Sequence, residues 1–341
     1  MTPTQQSASA PSYWRSIVLW PAFPALLLFV IAFAIDAALN PNLLSVNGLI
    51  GFGSSNLPLV VASLGQAILL IGRTIDLSIG ATISLVNVVA VSLFTAGFGM
   101  EVALPLATLV GVAFGALNAL LVVYLRINAL LATFAVSFVA GGLALRVQSA
   151  PGGSIPFELV MWMMDSYAGV PVALALMLAA AVAIVAIKRS TFMLRLYAVG
   201  GDDAKAFASG IQVTRVRTIA YLLSGLFTGL AGLATTLAIG SGDPLIGEAY
   251  TLQSIAAPVI GGVAILGGSG DPLGAIFGAL FLVVTSELLL GFGVSPFYQQ
   301  FIVGIIILTG LGGVVVLQRV LAAWRARGAA ASRRRILEVA P

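Results

Sequence analysis

The sequence predicts an all-α, polytopic membrane protein of about ten transmembrane helices with both termini in the cytoplasm. Hydrophobic residues make up 60% of the 341, and charged residues only 8%, against about a quarter charged in ordinary soluble domains. The apolar residues gather in runs of span length, and a chain this long holds about ten runs of roughly 20 residues with short connections. Charge gives the orientation: with both ends inside, fifteen of the sixteen Lys and Arg fall in the cytoplasm and only Arg146 lies outside.

Residues 1–16, rich in Ser, Ala, Thr and Gln, read as a disordered cytoplasmic leader. The first apolar run, Ile17–Leu39, is longer than the core of a signal peptide and reads as an uncleaved span, turned outside by Asn40-Pro41-Asn42. Further spans fit Gly48–Gly72, Leu77–Phe98, Val102–Leu125 and Ala129–Leu145. Arg146–Tyr167 is the longest external loop, and a sixth span covers Gly169–Ile187. Residues 188–217 form the one long polar interruption, with six basic side chains that keep it inside. Thr218–Ile239, a short Leu252–Leu266, Leu273–Gly291 and Phe297–Leu317 complete a permease domain of residues 17–317. The remaining 318–341 are a basic cytoplasmic tail.

Gly111, Phe114, Gly115, Ala116 and Leu117 in the fourth span recur as Gly274, Phe277, Gly278, Ala279 and Leu280 in the ninth. Five spans separate the two copies, so they cross the membrane in opposite directions, the mark of an inverted five-plus-five repeat with a site near its interface. Closely packed transmembrane helices show the same glycine spacing.

Cys and His are both absent. That removes thiolate and imidazole metal sites, Cys nucleophiles, His bases and disulfides. The two lysines, Lys188 and Lys205, do not follow glycine, so no phosphate-binding loop of the G-x-x-x-x-G-K type exists. Any ATP must be bound by a partner. No nucleophile elbow or catalytic carboxylate pair stands out, so the chain is expected to be a transporter and not an enzyme. Its +4 formal charge follows topology and points to no nucleic acid.

Charged groups in or near spans are few: Asp36, Arg73, Asp76 and Glu287. Each is a functional candidate because charge is costly in hydrocarbon. Arg73 is expected to pair with Asp76 in a break, Gly72–Gly80, that lines a polar route; Asp76 as a simple helix cap is the other reading. Gln66, Ser78, Asn87, Asn118 and Gln253 join Asp76 as candidate pathway residues, since neutral polar groups suit a hydroxyl-rich ligand. They also suit hydrogen bonding between helices. Gly261-Gly262 and Gly267-Gly268-Ser269-Gly270, beside Pro258 and Pro272, predict a discontinuous helix.

Inside the polar loop, Asp202 caps a short Ala-rich helix that Gly210 closes. It reads as a docking surface or as a loop stiffened by alanines.

Five segments carry a resemblance: IDLSIGA at Ile75–Ala81, AVGGDDAKAFASGI at Ala198–Ile211, YLLSGLFTGLAG at Tyr221–Gly232, IAAPVIGGVAILGGSGDPLGAIFGAL at Ile255–Leu280 and VSPFYQQFIVGIIIL at Val294–Leu308. Together they resemble the inner-membrane permeases of bacterial ABC sugar importers of the ribose, xylose and galactofuranose type, in the branched-chain and monosaccharide permease superfamily. The resemblance runs from about Asn42 to Leu317 and implies a ten-span fold and a homo- or heterodimer of permease chains. It also implies a cytoplasmic ABC ATPase that carries ATP and Mg, a periplasmic sugar-binding protein, and no cofactor in this chain. The location implied is the bacterial inner membrane, multi-pass, in contact with lipid. A Gly200-Gly201 turn with Asp202, Ala204, Ala206 and Gly210 matches the family's ATPase-coupling loop. Two departures are Asp202, where relatives commonly carry Asn, and Arg73-Thr74, where glycine is more usual. The expected function is a permease moving a neutral monosaccharide or similar polyol. The alternative is an ion-coupled secondary transporter using Asp76.

Overall fold

The computed structural model describes residues 20–295 and scattered positions from 298 to 308. The leader, the basic tail and most of the last expected span, Phe297–Leu317, lie outside the described residues. Helices occupy the other nine expected places: α1 Phe23–Leu39, α2 Val46–Ile71, α3 Ile79–Thr95, α4 Met100–Ala119 and α5 Ala129–Val147, then α7 Val172–Lys188, α10 Val213–Ile239, α11 Glu248–Ile260 and α12 Gly274–Gly291. Between them stand α6 Phe157–Met163, α8 Thr191–Gly201 and α9 Asp203–Ala208. Five of the described helices are long and apolar enough to cross a membrane, and the bent pair α7–α8, angled by 72°, is long and apolar enough for a sixth when the two are taken as one span.

The chain divides into two units, residues up to Leu288 and residues from Leu289 onward. In the second unit the described backbone turns after α12, with the Gly293 and Val294 amides donating to the Leu290 and Leu289 carbonyls.

In the first unit α2 is the central helix. It is mostly apolar and surrounded by other helices, and nearly every residue from Phe52 to Ile71 is buried, the polar Ser54, Asn56, Ser63 and Gln66 among them. Its neighbours are α10, α7 and α11. Helices α4 and α10 approach closely because both present glycines at a four-residue spacing. A Cβ on Gly111 would strike the Gly225 carbonyl and Gly229 amide, and one on Gly229 would strike the Thr108 carbonyl. The second copy of the motif does the same for α12, where Gly274 and Gly278 lie against the Gly261 and Ala257 carbonyls. Small residues let backbones meet where hydrocarbon supplies no hydrophobic drive.

Two departures from the expected elements have local causes. The segment expected as the longest external loop carries structure: α6 fills part of it, and Ser166–Tyr167 (β1) pairs antiparallel with Val170–Pro171 (β2), across a turn where Ala168 and Gly169 take positive φ. Gly200-Gly201 is not a turn but the last residues of α8. Ser190 caps that helix by accepting from the Met193 amide at 3.4 Å, and Asp202, extended at φ −161° and ψ 107°, ends it.

Candidate functional site

Two helices are broken, and the breaks are the polar parts of the bundle. The first is Gly72–Ser78, between α2 and α3. Asp76 Oδ1 accepts from the Ser78 amide at 2.7 Å and the Ser78 hydroxyl at 2.6 Å, while Oδ2 accepts from Asn118 Nδ2 at 3.0 Å. Asn118 Nδ2 also donates to Ser78 Oγ at 2.8 Å. All three residues are buried, so the sequence candidates Asp76, Ser78 and Asn118 form one cluster that ties α4 to the break. The expected Arg73–Asp76 ion pair does not form. Arg73 sits at φ 59° with an exposed side chain, whereas Asp76 turns inward to local donors. The Leu77 amide donates to Thr133 Oγ1 at 3.0 Å, and Thr74 Oγ1 shares a 2.5 Å hydrogen bond with the Tyr221 hydroxyl. Helices α5 and α10 thereby hold the same break.

The second break follows α11, which is short as the sequence expects. The chain leaves α10 at Gly240 in the left-handed conformation, φ 69°, and runs back along α3. Asn87 Nδ2 donates to Thr236 Oγ1 and the Ser241 carbonyl, both at 3.0 Å, and Asn87 Oδ1 accepts from the Asp243 amide at 2.7 Å. Further along, Ser84 Oγ accepts from the Gly247 amide at 2.9 Å. Gly80 and Gly247 then meet so closely that a Cβ on either would strike the other's carbonyl. Helix α11 therefore starts beside the first turns of α3 and ends at Gly261, before the glycine-rich segment to Leu273.

A cavity of about 620 Å3 opens at the start of α11. Its polar groups are Ser84, Ser137, Glu248 and Thr251, and Phe134 and Phe138 of α5 form an aromatic wall, packed edge to face with centroids 4.9 Å apart. These residues escaped the sequence reading because serines, threonines and one glutamate at a predicted external end carry no local signal. Of the remaining sequence candidates, Gln253 is half-buried on α11. Gln66 is fully buried on α2, with neither amide atom hydrogen-bonded among the described residues.

The polar loop holds α9 as expected. Asp202 Oδ1 accepts from the amides of Ala204 at 3.0 Å and Lys205 at 3.1 Å. The Lys205 amide and ammonium together hold the Asp202 carboxyl below its ordinary value of 3.8. Gly210, at φ 80°, closes the helix, and Phe207 stands 74% exposed on it. The loop is fastened to both breaks through backbone. A Cβ on Gly200 would strike the Ile71 carbonyl and the Gly268 amide, and that amide donates to the same Ile71 carbonyl at 2.9 Å. Beside it, Asp271 is buried and accepts from Lys188 Nζ at 2.5 Å and Trp20 Nε1 at 2.6 Å. Tyr197 of α8 donates to the Gly270 carbonyl at 2.7 Å.

Apolar helices long enough to span, two helix breaks with polar linings and a capped helix outside the apolar bundle together define a transport permease, a protein that passes a solute between its helices. The chain matches the family described as branched-chain amino acid transport system / permease component over residues 48–311, and it belongs to that family. It is 31% identical over 295 residues to the autoinducer 2 import system permease protein of Enterobacter sp. (strain 638), covering 86% of this chain and 85% of the relative. It is 29% identical over 311 residues to the ribose import permease protein of Escherichia coli (strain K12), covering 89% and 97%. To the ribose import permease protein of Bacillus subtilis (strain 168) it is 33% identical over 301 residues, covering 84% and 89%. No solved structure matches the chain.

Proposed function

We propose that this chain is the membrane subunit of an ATP-binding-cassette importer that carries a neutral monosaccharide or similar polyol into the bacterial cytoplasm. In this reading it crosses the inner membrane ten times as an inverted five-plus-five repeat, with both termini inside. It works as a dimer of permease chains, receives sugar from a periplasmic binding protein and is driven by an ATPase subunit that binds ATP and Mg. The relatives named for ribose and autoinducer 2 import support import, and ribose supports the sugar class.

The observation that carries the reading is the junction of Gly200, Ile71 and Gly268. A capped helix presented outside the apolar bundle is useful as a lever only if its motion reaches the solute path, and this junction joins α8 to both helix breaks with no flexible side chain between. Ridged, close-packed contacts move as units and do not deform gradually. Gly200, Gly201, Asp202, Ala204, Ala206 and Gly210 are the coupling segment in this account.

The path itself passes the cavity at the start of α11. Ser84, Ser137 and Thr251 offer hydroxyl donors and acceptors, and Phe134 and Phe138 offer apolar faces for the ring carbons of a sugar, the usual composition of a small-molecule site. Asp76, Ser78 and Asn118 hold the cavity's floor through Leu77, which lines it. Asn87 fastens the chain leaving α10 to α3, and Gln66, buried on α2, keeps an unused hydrogen-bonding amide; these and Gln253 stand near the path in this account and do not line the cavity. The test is co-expression with the neighbouring ATPase and binding-protein genes. ATP-dependent sugar uptake that disappears with Thr251→Leu, in a complex that still assembles, supports the path; unchanged uptake rejects it.

A further inference from the structure

Helices α2, α5, α9 and α10 and the segment after α4 that holds Val122 and Val123 converge on a second basin, of about 890 Å3, whose charge is unbalanced. Arg73, Arg126 and Arg217 line it against one carboxylate, Asp203, a surplus of two positive charges. Asp203 is already engaged, with Arg217 Nη2 at 2.8 Å. Arg73 and Arg126 are exposed and have no ion-pair partner among the described residues. Arg217 Nε and Asp203 Oδ1 are both buried there without a hydrogen-bond partner, and the unpaired guanidinium groups of Arg73 and Arg126 leave the basin with more donors than that one acceptor can use.

Both free arginines occupy left-handed backbone, at φ 59° and 56°, and only Ala168 shares that conformation among the described non-glycine residues. Each follows a helical segment, where glycine is the unstrained residue. Strained backbone held by its surroundings concentrates at ligand sites, and here it places two guanidinium side chains on one cavity.

The rim supplies the other half of the chemistry. At the rim of the basin, Leu125, Ile127, Leu130 and Leu131 are 60%, 41%, 52% and 63% exposed and form an apolar stripe at the start of α5, short of the Phe134–Phe138 wall of the other cavity. A cationic pocket that opens onto an apolar stripe fits an amphiphile with an anionic head. A carboxylate of a soluble subunit would use the arginines but not the stripe.

We propose that this basin binds the phosphate headgroup of an anionic phospholipid of the inner leaflet, with its acyl chains against the apolar residues at the start of α5. Basic pockets between helices at the cytoplasmic face recognise such headgroups, and arginine forks match phosphate oxygens in pairs. The leaflet rests on the orientation given under Proposed function; the headgroup chemistry does not. Because Asp203, Ala204 and Phe207 of α9 form one wall, a bound headgroup would brace the coupling helix against the bundle.

The test uses the full-length chain with its ATPase, incubated with equal amounts of phosphatidylglycerol and phosphatidylcholine of matched chains and read by native mass spectrometry. The expected result is at least a fivefold preference for phosphatidylglycerol, lost in the Arg73→Gln/Arg126→Gln pair and kept in Arg146→Gln. The Arg73→Lys/Arg126→Lys pair, which keeps the charge but not the fork, should retain part of the preference. Equal retention of the two lipids, or a preference that survives the double Gln variant, overturns the proposal. Displacement of the lipid by millimolar inorganic phosphate would make this a free-anion site and overturn it too. So would loss of ATPase copurification in the double variant with lipid preference intact, which assigns the arginines to a partner's carboxylates. The chain has no cysteine, so a single Leu125→Cys reports the leaflet: labelling from the cytoplasmic side supports it. Labelling from outside would reject the orientation while leaving the headgroup preference to be judged on its own.

Discussion

Gly200 lies so close to Ile71 that a side-chain carbon added to it would fall on the Ile71 carbonyl oxygen and press on the Gly268 amide. The end of α8 and the two helix breaks are therefore one backbone assembly. Gly201 has open space around the position a Cβ would take, and the contrast separates packing from composition. Gly200→Ala is expected to cost about 1–3 kcal/mol, the range for overpacking a close contact, and to lower ATP-driven uptake. Gly201→Ala should leave the melting temperature and uptake near wild type. Equal tolerance of both substitutions would show that the junction transmits nothing.

The cluster under the α2–α3 break depends on Asp76 having donors on both oxygens. Asn118→Leu removes the donor to Oδ2 and leaves a buried carboxylate oxygen unpaired. Such a loss costs about 1–3 kcal/mol or more. Thermal unfolding in detergent should show it, and Asp76→Asn should be milder than Asp76→Leu, because an amide oxygen still accepts from Ser78.

Asp271 gives the corresponding expectation at the other break. Its partner Lys188 is 38% exposed, so solvent screening reduces the value of the pair. Lys188→Met should cost about 1 kcal/mol in unfolding measurements, with Trp20 and the Leu273 amide still donating to Asp271. Asp271→Leu strands all three donors and should cost more. A reversed order would remove Asp271 from its place as the anchor of this corner.

The apolar helices were legible because length and oiliness are local properties, and α9 was legible because a cap, an alanine run and a closing glycine all lie within a few residues. The Lys188–Asp271 pair joins positions 83 residues apart and the Trp20–Asp271 bond positions 251 apart, distances at which no spacing rule operates. Asn87 and Asn118 were picked out as polar residues in spans, and each proved to bind helices or loops together. Whether such a residue faces solute or neighbour depends on the packing around it, which periodicity does not encode. Gly200 was seen as a turn former because nothing in a glycine announces that another backbone lies against it.

Asp202 carries a pH dependence of known sign. Its carboxyl is held below the ordinary 3.8 by the Lys205 amide and ammonium. A depressed value in the folded state means that the ionised cap stabilises the protein fully above 3.8, and that this contribution disappears as pH falls through the lower folded value. The stability difference between wild type and Asp202→Asn should thus stay constant from pH 7 to about pH 4 and shift against the wild type only below. Since Asn also caps, Asp202→Ala should be the less stable of the two variants at every pH. A difference that varied between pH 7 and 5 would point to another group.

The central claim is that this permease passes sugar but does not itself power the movement. Purified chain reconstituted into liposomes should accumulate, against a gradient, none of the labelled sugar that its binding protein binds, with or without a proton or sodium gradient. Adding the ATPase, the binding protein and ATP should start accumulation. Accumulation by the chain alone, driven by either ion gradient, would contradict the account.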